Sequence, residues 1–160
     1  MLPINFLSLE EALKERALIK KRGESLVLTN GCFDLLHAGH IYSLSQAAAL
    51  GDKLWVALNS DKSISKIKGT TRPIINETER AYMLSSLKCI NRVVLFDSPT
   101  LEYEISALKP EIYVKSSDYN LDTINEKEKL ALTKEKTVIR FVDLLPGKST
   151  TQMIDKIKSI

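Results

Sequence analysis

The chain reads as a doubly wound α/β protein, a five-stranded parallel sheet with helices on both faces. Short apolar runs alternate with longer, capped, amphipathic stretches through most of the 160 residues. Such alternation implies βαβ units and a parallel sheet, connected by right-handed crossovers. The residues with chemical character fall just behind those apolar runs or cap the final helix. In a doubly wound sheet ligands bind outside the carboxyl ends of the strands, so these residues are expected to converge on one face. The length suits one domain over residues 1–160, with an N-terminal helix over 8–22 packed on it.

Each element has its own signal. Ser8-Leu9-Glu10-Glu11 is a capping box, opening a charged helix that ends at Gly23. The first strand is Leu26–Leu28. A helix from about Ala38 is expected to bury Ile41, Leu44 and Ala48 and to stop at Gly51-Asp52. Lys53–Leu58 is the second strand, followed by a polar, basic stretch from Lys62 to Asn76 that reads as a loop with one helical turn. Asn76-Glu77-Thr78-Glu79 caps a helix reaching about Lys88, and Val93–Phe96 is the third strand. Ser98-Pro99 then opens a helix with proline at its first position. Ile112-Tyr113-Val114 is the fourth strand, residues 120–135 carry a short helix, and Thr137–Val142 is the fifth strand. Ser149-Thr150-Thr151-Gln152 caps a last helix with an apolar stripe of Met153, Ile154 and Ile157.

Composition narrows the class. Hydrophobic content of 44% and charged content of 27% are those of a soluble globular chain. A net charge of +3 gives no electrostatic case for a nucleic-acid partner. Cys32 and Cys89 have no metal-ligand or CxxC spacing, which points to free thiols in a reducing compartment. No apolar run approaches the ~20 residues that span a bilayer, so no membrane partner is expected. Met1-Leu2-Pro3-Ile4-Asn5 lacks signal-peptide character, and the expected location is the cytoplasm.

The chemistry concentrates behind the first strand. Thr29-Asn30-Gly31-Cys32-Phe33-Asp34 leads into His37-Ala38-Gly39-His40, which places both histidines of the chain in the first turn of a helix. Backbone N–H groups and the positive dipole end of that helix would face an anion. Imidazoles at i and i+3 share a face and can donate to phosphate oxygens. Gly31 and Gly39 leave room for phosphate to approach. A chance pair and a zinc site with Asp34 as third ligand are the alternatives for the histidines. Cys32 has no base arranged for nucleophilic work and reads as an inert thiol. Four basic residues (Lys62, Lys66, Lys68, Arg72) follow the second strand; they read as a solvated face or as phosphate contacts, Lys68 and Arg72 foremost. Arg80 lies near a helix N-terminus, where a cation is mildly disfavoured, and this favours a functional role.

These segments together are similar to the HxGH nucleotidyltransferase superfamily, through His37-Ala38-Gly39-His40 and the upstream Gly31-Cys32-Phe33-Asp34. Asn59-Ser60-Asp61, Lys68-Gly69, Arg72-Pro73, Glu79-Arg80 and Gly147-Lys148-Ser149-Thr150-Thr151 also resemble its downstream pieces. Within the superfamily the chain most resembles adenylyltransferases that make ADP-heptose, a lipopolysaccharide-type precursor, from ATP and heptose 1-phosphate. The resemblance covers nearly the whole chain from Ser8. It implies a Rossmann-like nucleotidyltransferase fold and a nucleotide held by Thr29, Asn30, Gly31, Cys32, Phe33, His37, Gly39, His40, Lys115, Asp118, Ser149, Thr150 and Thr151. It implies catalytic roles for His37, His40, Lys68, Arg72 and Arg80, and acceptor contacts from Asp34, Asn59, Asp61 and Tyr119. Mg²⁺ would ride mainly on the phosphates, with Asp34 the candidate protein ligand. Relatives often carry a fused sugar kinase, so a kinase on a separate chain is expected, as is an isologous homodimer. Ser116-Ser117 stands where relatives carry two glycines, which would narrow the pocket if that loop approaches the ligand closely. A cytidylyltransferase for a small polyol phosphate, an FMN adenylyltransferase and a non-catalytic nucleotide-binding protein are the rival readings.

Overall fold

The computed structural model describes residues 6–160; the Met1–Asn5 segment, and the signal-peptide reading made on it, lie outside the described residues. Among them run β1 (Phe6–Leu7), α1 (Leu9–Lys21), β2 (Leu26–Gly31), α2 (Ala38–Ala48), β3 (Lys53–Asn59), α3 (Asp61–Lys68) and α4 (Glu77–Ser85). β4 (Arg92–Phe96), α5 (Glu102–Leu108), β5 (Ile112–Ser116), α6 (Glu126–Lys134), β6 (Val138–Val142) and α7 (Thr150–Lys158) follow. The sheet is parallel throughout, in the order β1-β4-β3-β2-β5-β6. It has six strands, one more than expected. The additional strand, Phe6–Leu7, pairs two residues with Val93 and Val94 at the sheet edge. Two apolar residues are too short a run to show alternation.

Side-chain alternation along the strands builds two cores, one per face. Leu26 and Leu28 of β2 and Trp55 and Ala57 of β3 pack with Ala12 and Ile19 of α1, Ile105 and Leu108 of α5 and Leu132 of α6. Val27, Leu54, Val56 and Leu58 point the other way, against Leu44 and Ala47 of α2 and Ala81 and Leu84 of α4. Burial on both faces is why β3 reads as a nearly unbroken apolar run. The chain leaves β2 toward β3 and β4 on one side, then crosses to β5 on the other. β2 and β5 therefore flank the switch point, where the carboxyl ends of an open sheet leave a crevice.

Local departures from expectation have local causes. The capping box forms as read: Glu11 N–H donates to Ser8 Oγ, and Ser8 N–H donates to Glu11 Oε2 at 2.8 Å. The stretch from Lys62 carries two turns of helix where one was expected, up to Lys68, and is loop from Gly69 to Asn76. Ser60 Oγ accepts from Ser63 N–H, Ile64 is fully buried, and Gly69 ends the helix at φ +91°. α2 presents His40, Leu44 and Ala47 inward, at i, i+4 and i+7, which turns Ile41 out to 40% exposure. The helix expected at Ser98-Pro99 begins instead at Glu102. Leu101 is fully buried and its N–H donates to Glu128 Oε1 at 3.0 Å, so a carboxylate from α6 fixes the start of α5. α7 is capped by Ser149 as expected, yet none of its residues is buried, and Ile157 is 63% exposed. No helix among the described residues is long and apolar enough to cross a membrane.

Candidate nucleotidyl-transfer site

The carboxyl ends of β2, β3 and β5 open into a cavity of about 650 Å³. Its lining brings together Thr29, Asn30, Gly31, Cys32, Phe33, Asp34, His37, Gly39, His40, Asn59, Lys68, Lys115, Asp118, Tyr119, Ser149 and Thr150 from the expected set. Asp61, Arg72, Arg80 and Thr151 are not in the lining.

The turn after β2 explains the sequence pattern. Phe33 sits at φ +46°, a left-handed conformation costing a bulky residue roughly 1–2 kcal/mol. That turn lays the Phe33 ring over Gly31, where an added Cβ would meet Phe33 Cε2 at 2.8 Å. The same ring meets His40 edge-on, with centroids 5.1 Å apart. His37 and His40 stack face to face at 3.8 Å and 18° between planes. Gly39 permits the stack, because a Cβ there would meet His37 Cε1 and Nδ1 at 2.9 Å and Lys148 Cβ at 3.1 Å. His37 is also the N-cap of α2, with no side-chain cap bond.

Burial first, and neighbouring positive charge after it, disfavours the protonated form of both rings. Burial lowers the His40 pKa to about 4, and the charges of His37 and Lys68 act in the same direction. His37 is lowered too, by burial first and then by Lys148. Both Nδ1 atoms are buried without a hydrogen-bond partner. A neutral imidazole donates through one nitrogen only, and with Nδ1 sealed off, Nε2 of each ring is the nitrogen left to meet an oxygen in the cavity. The two imidazoles, Lys68, Lys148 and the N-termini of α2 and α7 together form a setting that favours an anion.

Asp34 lies at the cavity edge with its side chain turned away from the role expected for it. It is 2% exposed, accepts from the Ile74 and Ile75 N–H groups at 2.7 and 3.0 Å, and pairs with Arg72 Nε. Burial works to raise its pKa, but the Ile75 N–H, Arg72 and the Ile74 N–H outweigh it and hold the carboxylate below its ordinary range. With these donors on both oxygens Asp34 does not fit a metal ligand, and no group of three or more acidic, Cys or His side chains among the described residues fits one either. Arg80 is fully buried. Its guanidinium donates to the carbonyls of Cys32, Asn59 and Ile75 and pairs with Asp61 at 2.7 Å. It ties the turn after β2 to the end of β3 and the start of α4, and does not reach the cavity.

Sequence reasoning missed several lining residues, among them Thr100, Thr123, Asn125, Glu128 and Leu144, and gave Lys148 no role beyond its place in the Gly147–Thr151 motif. Glu128 is 4% exposed, with Tyr113 Oη 3.1 Å and Lys115 Nζ 3.6 Å from Oε2. Its signal was present: Glu128, Ala131 and Leu132 fall at i, i+3 and i+4 and are the buried residues of α6. Lys115 Nζ donates to Asn30 Oδ1 at 2.7 Å; burial lowers its pKa, with Glu128 opposing. Ser116 and Ser117 are not among the residues with positive φ, so serine strains neither backbone position.

The comparisons agree with this geometry. A family profile described as Cytidylyltransferase-like matches residues 28–156. The bifunctional protein HldE of Syntrophotalea carbinolica is 45% identical over 138 residues, covering 86% of this chain and 28% of its own length. HldE of Helicobacter pylori is 46% identical over 141 residues, 88% of this chain and 29% of its own. The chain therefore spans under a third of these curated relatives. A crystal structure of a lipopolysaccharide core biosynthesis protein from Thermoplasma volcanium superposes at TM-score 0.62 with 29% identity, covering 77% of this chain and 98% of that one. Pantoate-beta-alanine ligase from Francisella tularensis shares the fold, at TM-score 0.62 and 14% identity over 99% of this chain and 79% of its own. With the histidine pair at the switch point and the family profile spanning both the β2 turn and the α7 cap, the chain belongs to the cytidylyltransferase-like, HxGH nucleotidyltransferase family.

Proposed function

We propose that the chain transfers AMP from ATP to a sugar 1-phosphate, heptose 1-phosphate in first place, giving an ADP-sugar for lipopolysaccharide-type heptose precursors and releasing pyrophosphate. The observation that carries the reading is the stacked His37–His40 pair in the cavity that Lys68, Lys148 and the α7 cap also line. The sugar rests on the pieces Asn59-Ser60-Asp61, Lys68-Gly69 and Arg72-Pro73, and on relatives named HldE.

In this reading an oxygen of the acceptor phosphate attacks the α-phosphorus of ATP in line. The bond from that phosphorus to the bridging oxygen breaks, and pyrophosphate leaves with the electron pair. A phosphate monoester is an adequate nucleophile at neutral pH, so no protein base is required. His37 and His40 donate N–H groups to phosphate oxygens, while Lys68, Lys148 and the helix ends offset growing charge on the leaving group. Mg²⁺ arrives as part of the ATP substrate. Arg72, Arg80 and Asp34 act one step back, holding the loops that carry the contact residues.

A matrix of ATP, CTP, GTP and UTP against heptose, mannose and glycerol phosphates, read as pyrophosphate, tests it. ATP with heptose 1-phosphate is expected to give the highest rate. A best rate with CTP and glycerol phosphate would move the chain to the polyol cytidylyltransferases, and no pyrophosphate in any well would leave a binding protein.

A further inference from the structure

Asn30 is held by one end of its amide. It stands one residue from the end of β2 and lines the cavity. Its Oδ1 accepts from Lys115 Nζ at 2.7 Å and lies 2.9 Å from Tyr113 Oη. Both neighbours come from β5, two residues apart and so on one face of that strand. A third group stands behind them. Glu128 on α6 is nearly inaccessible, and its Oε1 takes the Leu101 N–H. Its Oε2 lies 3.1 Å from Tyr113 Oη and 3.6 Å from Lys115 Nζ. Tyr113 itself is fully buried and does not line the cavity.

These contacts decide which way the amide faces. An ammonium donates and cannot accept, so the atom beside Lys115 Nζ is the amide oxygen; a turned amide would set NH₂ against NH₃⁺. Tyr113 has one hydroxyl proton and two acceptors in reach, Asn30 and Glu128. Given to Asn30, the proton adds a second donor on Oδ1. Given to Glu128, it anchors the carboxylate that steadies Lys115. By either route the hydroxyl acts on the amide. Nδ2 has no protein partner among the described residues, so its two N–H groups are what Asn30 has left for the cavity. Such a side chain suits an acceptor atom without a proton of its own. Two imidazoles and two lysines line the same cavity and favour an anionic oxygen there, and both proposed substrates carry phosphate.

Resting on the adenylyl-transfer reading, we propose that Asn30 donates from its side-chain amide to a phosphate oxygen of a bound substrate, and that Tyr113, out of the ligand's reach, is a positioning residue that fixes the direction of that amide together with Lys115 and Glu128. The triphosphate and the acceptor's monoester share this chemistry, and separate titrations tell them apart.

The order of two replacements is the test. Asn30→Asp keeps an oxygen for Lys115 and Tyr113 but turns the donor into a second anionic oxygen, while Asn30→Ala removes both ends. If Asn30 served the frame alone, Asn30→Asp would be the milder change. For a phosphate donor it should be the harsher. The expected loss in kcat/KM is about 100-fold or more for Asn30→Asp and about tenfold for Asn30→Ala, with both folded by circular dichroism. Calorimetric Kd values for α,β-methylene-ATP and for heptose 1-phosphate then show which phosphate Asn30 meets, the larger loss marking the partner. Tyr113→Phe should lower kcat/KM about fivefold in the wild type and less than about twofold in the Asn30→Ala background, because a residue that acts through Asn30 has nothing to act on once it is gone. An Asn30→Asp protein as active as Asn30→Ala, with both ligands bound equally well, would overturn the donor role. An equal loss from Tyr113→Phe in both backgrounds would overturn the positioning role. Wild-type protein that binds both ligands and releases no pyrophosphate sinks adenylyl transfer alone, since the order of the two Asn30 variants in Kd still decides what the amide does.

Discussion

At the residue scale the two imidazoles do most of the explaining. Their rings lie 3.8 Å apart, so charging both is unfavourable, and burial already holds His40 at about 4. A triphosphate bound as proposed would reverse that balance by bringing negative charge to the rings. The free protein leaves His40 unprotonated above about pH 4, so any rise in its pKa on binding appears as proton uptake. Calorimetry of α,β-methylene-ATP in buffers of different ionisation enthalpy should show uptake near pH 6, and His40→Asn should reduce it; proton release would contradict the account. His40→Ala is expected to lower kcat by about 100-fold or more, as for removal of a donor to a charged transition state, with the fold intact by circular dichroism. Asp34 and Arg80 belong to a different category. Both lie within the folded frame, and their replacement should be seen first in denaturation. Arg80→Ala leaves three carbonyls and the Asp61 carboxylate without their donor, which should cost about 3 kcal/mol or more in urea unfolding. Since the Asp34 pKa is depressed on folding, its contribution is present above the ordinary carboxylate range and is lost as pH falls through the lowered value. Acid unfolding of Asp34→Asn should accordingly show a weaker pH dependence than wild type.

At the scale of elements, caps and periodicity made most of the helices legible. Ser8, Asn76 and Ser149 each accept a backbone N–H three residues on, as their positions in the sequence suggest. Where reading failed, a long-range contact had replaced a local one. The start of α5 is set by Glu128, 27 residues downstream of Leu101. No window around Ser98-Pro99 contains that carboxylate, so proline at a helix start was the better local reading. α3 was hidden because it is short and polar: its only apolar residues are Ile64, fully buried, and Ile67, 48% exposed, and one i, i+3 pair is too little to show a period. α7 offers a contrast: its stripe reads as a buried face, yet Ile157 stands 63% exposed. Ile157→Lys should therefore change the unfolding free energy by no more than about 0.5 kcal/mol, whereas a core position such as Ile105→Ala should cost about 2–5 kcal/mol. A large loss at Ile157 would mean that α7 is packed.

At the scale of the whole molecule, the topology does the gathering. Residues separated by more than a hundred positions, Asn30 and Ser149 among them, line one cavity because the chain leaves the neighbouring strands β2 and β5 toward opposite sides of the sheet and returns over their carboxyl ends. This convergence was legible from strand order logic alone, since motif residues behind parallel strands share an edge. What the sequence could not reveal was which polar residues reach the cavity and which stay in the walls; Arg80 and Glu128 exchanged places in that respect. The most direct test of the account is a crystal structure with α,β-methylene-ATP. The account predicts the phosphates within hydrogen-bond distance of His37 and His40 and of the backbone N–H groups that open α7. A nucleotide bound elsewhere, or phosphates out of reach of both imidazoles, would contradict it.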